Sequence, residues 1–197
     1  MYFRPAEIIE VVKKLQEGKI GVFPFDTIWG LTGVMNRQVV ERINALKQRK
    51  ITKPFILLLP DITEIGRYAD VPKHAQHLLR DYWPGEVTFI FKKKDTVPDI
   101  VTNNLPTVGI RVPRFWPLIY LLAELGEPII STSVNITSQV PEISIEDIDA
   151  DILKKVDFVY QDVEPGLGEP SAIIDCTREN ACYLIRKNSV CSSLGTK

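Results

Sequence analysis

The chain has 197 residues, enough for one domain with a sizeable core and short for two. Apolar residues make up 45% and charged residues 25%, with a net charge of -1, so the chain reads neither as disordered nor as a globally basic nucleic-acid binder. Its three cysteines, Cys176, Cys182 and Cys191, are odd in number and lack metal-ligand spacing; neither a zinc site nor a disulfide framework is expected, and a reducing cytoplasm fits.

Met1 to Glu10 carries acidic residues and no long apolar run, so it reads as neither a signal peptide nor a membrane span. Pro5 to Glu17 follows a helical period, with Ile8, Val11, Val12 and Leu15 on one face and Gly18 as the stop. Lys19 to Pro24 predicts a strand, Phe25 to Gly30 a loop and Leu31 to Val34 an extended piece. Asn36 is placed to cap a helix that turns Val39, Val40, Ile43 and Leu46 inward. Phe55 to Leu59 is short and continuously apolar, as in a strand buried on both faces. Asp61 and Glu64 have capping-box spacing for a short helix, and Pro72 to Tyr82 predicts another helix. Strands are expected at Val87 to Phe91, Val108 to Val112 and Pro128 to Thr132, with a helix over Trp116 to Leu125 between the last two. Phe158 to Tyr160, Ala172 to Asp175 and Tyr183 to Ile185 complete the set. This alternation predicts one α/β domain over residues 1–187, with a mixed sheet and flanking helices. Residues 188–197, polar and without periodicity, are expected to form a loose tail.

Four segments carry candidate chemistry. In Lys47-Gln48-Arg49 the helical period fades, so Lys47 and Arg49 can leave the helix together, with Lys53 nearby. Convergent cations of this kind suit a polyphosphate; they equally suit a solvated helix end. Ser131, Ser133 and Asn135 share one face of an extended segment at a strand's C-terminal end, opposite Ile130, Thr132 and Val134. Ligands gather at such ends, although hydroxyls there also bond their own loop. Arg111, inside the apolar run Val108 to Val112, requires an anionic partner from the protein or from a ligand. Pro24-Phe25-Asp26-Thr27-Ile28-Trp29-Gly30-Leu31 combines a hydroxyl, a carboxylate and aromatics in a strand exit, with Trp29 as a possible stacking wall. No G-x-S-x-G elbow and no Walker A motif is present, which argues against a serine hydrolase and a P-loop nucleotidase.

Taken in order, these segments resemble the YrdC-like threonylcarbamoyl-AMP synthase family, from about Ile20 to Arg186. The family shows P-T-(D/E)-T-x-Y-G-L, K-x-R, P-G-P-x-T, R-x-P-x-H, S-x-N and a late S-T-x-x-D followed by an arginine. The corresponding residues are Pro24 to Leu31, Lys47-Gln48-Arg49, Pro84-Gly85-Glu86-Val87-Thr88, Arg111-Val112-Pro113-Arg114, Ser133-Val134-Asn135, Ser171 to Asp175, and Arg186. A sister group in the superfamily lacks the K-x-R and S-x-N signatures, and this chain keeps both. Departures are Phe25 for Thr, Trp29 for Tyr, Glu86 for Pro, Arg114-Phe115 where the motif ends x-His, Ala172 for Thr and Asn188 for a frequent Gly. Phe25 and Arg114 are the two expected to reshape the substrate end.

The resemblance implies a twisted open α/β sheet of the short, single-domain form, with a cationic concave pocket. It implies that L-threonine, bicarbonate and ATP, with Mg²⁺, give threonylcarbamoyl-AMP and pyrophosphate. A tRNA-modification complex would consume the product, and no membrane is involved. By motif, Lys47 and Arg49 carry the catalysis. Lys47, Arg49, Lys53, Ser133, Asn135 and Arg186 face ATP. Thr27, Arg111 and Ser171 face threonine, and Ser131 and Thr132 can serve either end. No protein metal ligands are expected. The competing readings are a non-catalytic RNA- or nucleotide-binding module on the same fold, and an acyl-adenylate enzyme using another amino acid. The balanced charge and the single short basic run, Lys92-Lys93-Lys94, weigh against RNA.

Overall fold

A computed structural model of the chain describes residues 5–47, 53–134 and 144–191. The elements in chain order are α1 (Pro5–Gln16), β1 (Gly21–Pro24), β2 (Trp29–Val34), α2 (Arg37–Leu46), β3 (Ile56–Leu58), β4 (Ala69–Asp70), α3 (Gln76–Tyr82) and β5 (Val87–Lys93). They continue with α4 (Asp99–Thr102), β6 (Thr107–Arg111), α5 (Trp116–Leu125), β7 (Ile129–Ser133), α6 (Ala150–Lys155), β8 (Phe158–Val159), β9 (Ala172–Asp175) and β10 (Tyr183–Arg186).

The strands form one open mixed sheet in the order β10-β9-β5-β6-β3-β7-β2-β1-β8, with β4 paired to β5. β3 runs parallel to β6, β5 to β9, and β1 to β8; the other pairs are antiparallel. Strand alternation gives the sheet two unlike faces. Ile130, Leu57, Ile110, Phe89 and Ile174 stand in one row across β7, β3, β6, β5 and β9, and all are buried. The neighbouring row on the other face reads Ser131, Ile56, Gly109 and Ile90. The first row belongs to the core; the second carries a hydroxyl and a glycine and floors the cavity described below.

Helix α1 buries Ile8, Val11, Val12 and Leu15 and packs on α5. It ends at Gly18, whose φ of 73° lies in the left-handed region that glycine enters without steric cost. Helix α2 starts at Asn36, whose Oδ1 accepts from the Val39 N–H at 2.9 Å, and it lies over β2 with Val39 against Gly33. The α1–β1 connection is held by Asp157. Its Oδ2 accepts from the Ile20 N–H (2.8 Å), and both oxygens take the Arg42 guanidinium (2.8 and 3.2 Å).

Several boundaries differ from the periodic reading. The strand after Phe25 begins at Trp29, two residues early, because it pairs with Pro24 across the tight Phe25–Ile28 turn. Asp61 caps a 3₁₀ turn over Ile62–Arg67 by accepting from Thr63 N–H, while Glu64 pairs with Arg67 and completes no capping box. The expected Pro72 to Tyr82 helix divides into a 3₁₀ turn at Lys73–Ala75 and α3. The short elements β4, α4 and α6 had no distinct periodic signal. The cysteine expectation is corrected: Cys176 and Cys182 form a disulfide across the β9–β10 hairpin, while Cys191 is free and buried. The pairing depends on the hairpin bringing residues six apart face to face, which a spacing rule does not register. The expected tail begins with packed residues, since Asn188 and Cys191 are both buried; residues 192–197 lie outside the described residues.

Burial opposes ionisation of Asp157, but the Arg42 guanidinium and the Ile20 N–H outweigh it and hold the carboxyl below the usual carboxylate value. A carboxyl depressed by folding adds stability above its unfolded pKa and loses it as pH falls through the folded one. Asp157→Asn is expected to cost about 1–2 kcal/mol at neutral pH in urea unfolding. The difference from the parent chain should shrink as pH falls below about 4.

Candidate active site

The polar face of the sheet carries a cavity of about 520 Å³, within the range that accepts a nucleotide-sized ligand. Its floor is the row through Ile56, Gly109 and Ile90, extended by Ile173 on β9. Lys47, Lys53, Thr27, Arg111, Ser131, Thr132, Ser133, Ser171 and Arg186 all border it, from seven separate places along the chain. Arg49 and Asn135 lie outside the described residues.

Lys47 is the C-cap of α2 and is only 2% exposed. Its Nζ donates to the Ser133 carbonyl, so the helix end is tied to the end of β7 instead of standing in solvent. Lys53 sits exposed at the cavity edge. Ser131 and Ser133 point to the cavity face together, as alternation requires; Thr132 borders the cavity although it occupies the intervening register position.

Arg111 is 2% exposed and Asp26 is 4% exposed, and the guanidinium donates to the Asp26 carboxylate. The second Asp26 oxygen takes the Arg114 N–H at 3.2 Å. The buried arginine therefore has a protein partner, and its Nε remains without one among the described residues. The Asp26 loop is strapped from outside: Gly166, Leu167 and Gly168 N–H groups donate to the Phe25, Asp26 and Thr27 carbonyls at 2.9, 2.9 and 2.7 Å. A Cβ at Gly166 would lie 2.5 Å from the Asp26 carbonyl oxygen, so only glycine permits this approach.

Arg186 enters from the opposite wall. In regular alternation it would share a face with Leu184. A bulge between Leu184 and Arg186 instead sets Arg186 opposite Ile173, on the cavity face. Its Nε donates to the Ser171 carbonyl (2.8 Å) and Nη2 to Ser171 Oγ (3.3 Å), and Ser171 Oγ also meets Thr88 Oγ1 at 2.8 Å. Partial burial, and then the nearby Arg111 charge, lower the Arg186 pKa from its ordinary value. An anion placed between the two guanidinium groups relieves their repulsion.

Two expectations are corrected here. Trp29 is wholly buried on the core side of β2, with its indole N–H unpartnered among the described residues, so it offers no stacking wall. Strand pairing with Pro24 fixes that orientation, and the aromatic on the cavity side is Phe25. Arg114 does not border the cavity; its Nε donates to the Pro84 carbonyl at 3.0 Å. Thr88, Thr107 and Gly109 were not chosen from sequence and do border it. Thr88 ends the P-G-x-x-T stretch and was available as a signal; Thr107 and Gly109 alternate with Arg111 along β6.

Fold and cavity define the class: an open-sheet α/β protein with a cation- and hydroxyl-lined ligand site on one face. The Sua5/YciO/YrdC family model, described as telomere recombination, matches residues 13–188, and the chain belongs to this family. A Methanocaldococcus jannaschii relative, provisionally named a threonylcarbamoyl-AMP synthase, is 34% identical over 170 residues, 85% of this chain and 80% of its own. The threonylcarbamoyl-AMP synthase of Pseudoalteromonas translucida is 26% identical over 172 residues, 85% of this chain and 92% of its own. Pyrococcus abyssi Sua5 complexed with L-threonine matches with a TM-score of 0.88 at 26% identity, covering 94% of this chain and 55% of that one. Escherichia coli YciO matches with a TM-score of 0.85 at 28% identity, covering 94% of this chain and 91% of that one. The chain thus spans about half of the P. abyssi protein and nearly all of YciO.

The Phe25 ring lies across Gly30, where a Cβ would stand 1.8 Å from a ring carbon. Gly30→Ala is expected to destabilise the protein by about 1–3 kcal/mol through overpacking. Phe25→Ala alone should cost about 3–5 kcal/mol. In urea unfolding, the double substitution should cost clearly less than the sum of the two, because removing the ring removes the clash.

Proposed function

We propose that this cavity makes threonylcarbamoyl-AMP and pyrophosphate from L-threonine, bicarbonate and ATP, for threonylcarbamoyl modification of an adenosine in tRNA. The observation that carries the reading is the composition of the cavity wall. Among the described residues four cations border it, Lys47, Lys53, Arg111 and Arg186, together with seven hydroxyl side chains and no carboxylate. Such a wall suits a ligand with several negative charges and contains no general base.

The chemistry asks for little else. The threonine amine and bicarbonate give a carbamate with loss of water. One carbamate oxygen, already anionic, attacks the α-phosphorus of ATP. The bond from that phosphorus to the bridging oxygen breaks, and pyrophosphate leaves with its electron pair. Catalysis is then positioning plus stabilisation of charge as it shifts onto the leaving pyrophosphate. Lys47, fixed at the end of β7, and Lys53 are assigned to the phosphates, with Arg49 beside them in sequence. Arg186 and Ser133 are assigned to the nucleotide, with Asn135 two residues further on. Arg111, Thr27 and Ser171 are assigned to threonine, and Ser131 and Thr132 lie between the two ends.

The donor set around the cavity does not fit a resident metal. No group of three or more potential ligand side chains occurs among the described residues, and no carboxylate lines the wall. Mg²⁺ is therefore assigned to the substrate, entering on the ATP phosphates, as this ion commonly does. No helix among the described residues is long and apolar enough to cross a membrane. A cytoplasmic setting, where ATP, threonine and tRNA meet, accords with the reading.

Pyrophosphate release from MgATP is the direct test. Release should require both threonine and bicarbonate and should fall to background when either is omitted. Release indifferent to threonine would overturn the proposal. Lys47→Met keeps the aliphatic stem and removes the charge; it is expected to lower kcat/KM about 10²–10³-fold in the same assay.

A further inference from the structure

Beyond the side chains already described, Asn188 joins three of the chain segments that form the cavity wall. It is 8% exposed, and its side-chain amide is fully used. Nδ2 donates to the Glu86 carbonyl at 3.1 Å and to the Pro170 carbonyl at 3.5 Å. Oδ1 accepts from the Cys191 N–H at 3.0 Å. The next stretch reinforces the anchor: the Ser189 N–H donates to Glu169 at 2.9 Å, and Cys191 is buried against the Tyr82 hydroxyl.

Each chain segment joined at this amide leads directly into the cavity. Glu86 lies two residues before Thr88, and Pro170 one residue before Ser171. Asn188 itself lies two residues after Arg186. Arg186 is the last residue of β10 to pair with β9, and it follows the bulge, so the ladder holds it from one side only. Asn188 supplies the hold on the other side. The same side chain also fixes the carbonyl just before Ser171, the residue on which the Arg186 guanidinium rests. A loosened Asn188 would free Arg186, while Ser171 stays held by Thr88 Oγ1 and by the β5–β9 ladder that begins at Ala172.

We propose that Asn188 is a positioning residue of the nucleotide site, acting through Arg186. The inference rests on the ATP reading of the cavity. Asn188→Asp is close to isosteric and retains an acceptor for Cys191. It replaces the two donors with an oxygen facing two carbonyls. Asn188→Ala removes the bonds without adding repulsion. Neither substitution alters a group that borders the cavity.

The experiment measures KM for ATP, KM for threonine and kcat for both variants, in the parent chain and in an Arg186→Ala background. In the parent chain, KM for ATP should rise about tenfold while KM for threonine stays within about twofold. In the Arg186→Ala background the further rise should be less than about twofold, because the residue being positioned is gone. An undiminished effect in that background would overturn the inference, as would equal rises for both substrates tracking a fall in Tm. Absence of threonine-dependent pyrophosphate release in the unsubstituted protein would count against the ATP reading instead. The positioning can still be read without catalysis, by amide hydrogen exchange. Exchange at Arg186 and Lys187 should accelerate at least about tenfold in the variants while β5 and β6 stay protected, and unchanged exchange there would overturn the inference.

Discussion

An arginine inside a β-sheet must be neutralised before the sheet can close around it. Arg111 stands on a central strand, wholly enclosed, and Asp26 meets it from a loop 85 residues earlier in the chain. Breaking such a buried pair by removing one partner typically costs about 3–5 kcal/mol, since the charge left behind has neither water nor a counter-ion. Much of the surrounding structure fixes that loop in place. The Gly166–Gly168 strap holds its carbonyls, Gly30 makes room for the Phe25 ring, and the Arg114 N–H takes the second Asp26 oxygen. Neutralisation also sets what Arg111 can do. One edge of the guanidinium is committed to Asp26 and its direction is fixed, which leaves Nε for another acceptor.

The cations around the cavity are held by different means, and the differences suit different tasks. Arg111 has a carboxylate partner. Arg186 is held by the Ser171 carbonyl, which orients a charge without cancelling it, and Lys47 donates to the Ser133 carbonyl. A site built in this way keeps a positive potential while restricting the motion of the groups that create it. That is the arrangement preorganised electrostatic stabilisation requires. The hydroxyls add directional donors and acceptors without net charge, and the apolar floor of Ile56, Ile90 and Ile173 excludes water from one side.

Much of this was legible in the sequence. The continuous apolar run at Phe55 to Leu59 and the alternation around Arg111 correctly announced a central sheet, because buried strands impose both patterns. The need of Arg111 for an anionic partner followed from its apolar neighbours; that the partner is Asp26 did not, because contacts across 85 residues have no local signature. Trp29 was misread because a strand exit and a strand start look alike when the turn is only a few residues long. Arg186 was placed by its motif, but period-two reading would put it on the wrong face, since a bulge adds a residue with no compositional mark. The Cys176–Cys182 disulfide and the docking of Asn188 were missed for a related reason. Both depend on where β9 and β10 end, and strand ends are the least determined part of any periodic reading.

Gly109 occupies the middle of the cavity floor under no backbone compulsion. A Cβ there would meet Thr88 Cγ2 at 3.4 Å and Ile56 Cγ1 at 3.8 Å, both ordinary contacts, and the residue has no positive φ. The fold would therefore admit a side chain that the cavity lacks. Depth at the centre of the site is set by a single position to which the rest of the architecture is indifferent. That makes Gly109 a natural point at which to resize the ligand space, by design or by descent, one methyl group at a time.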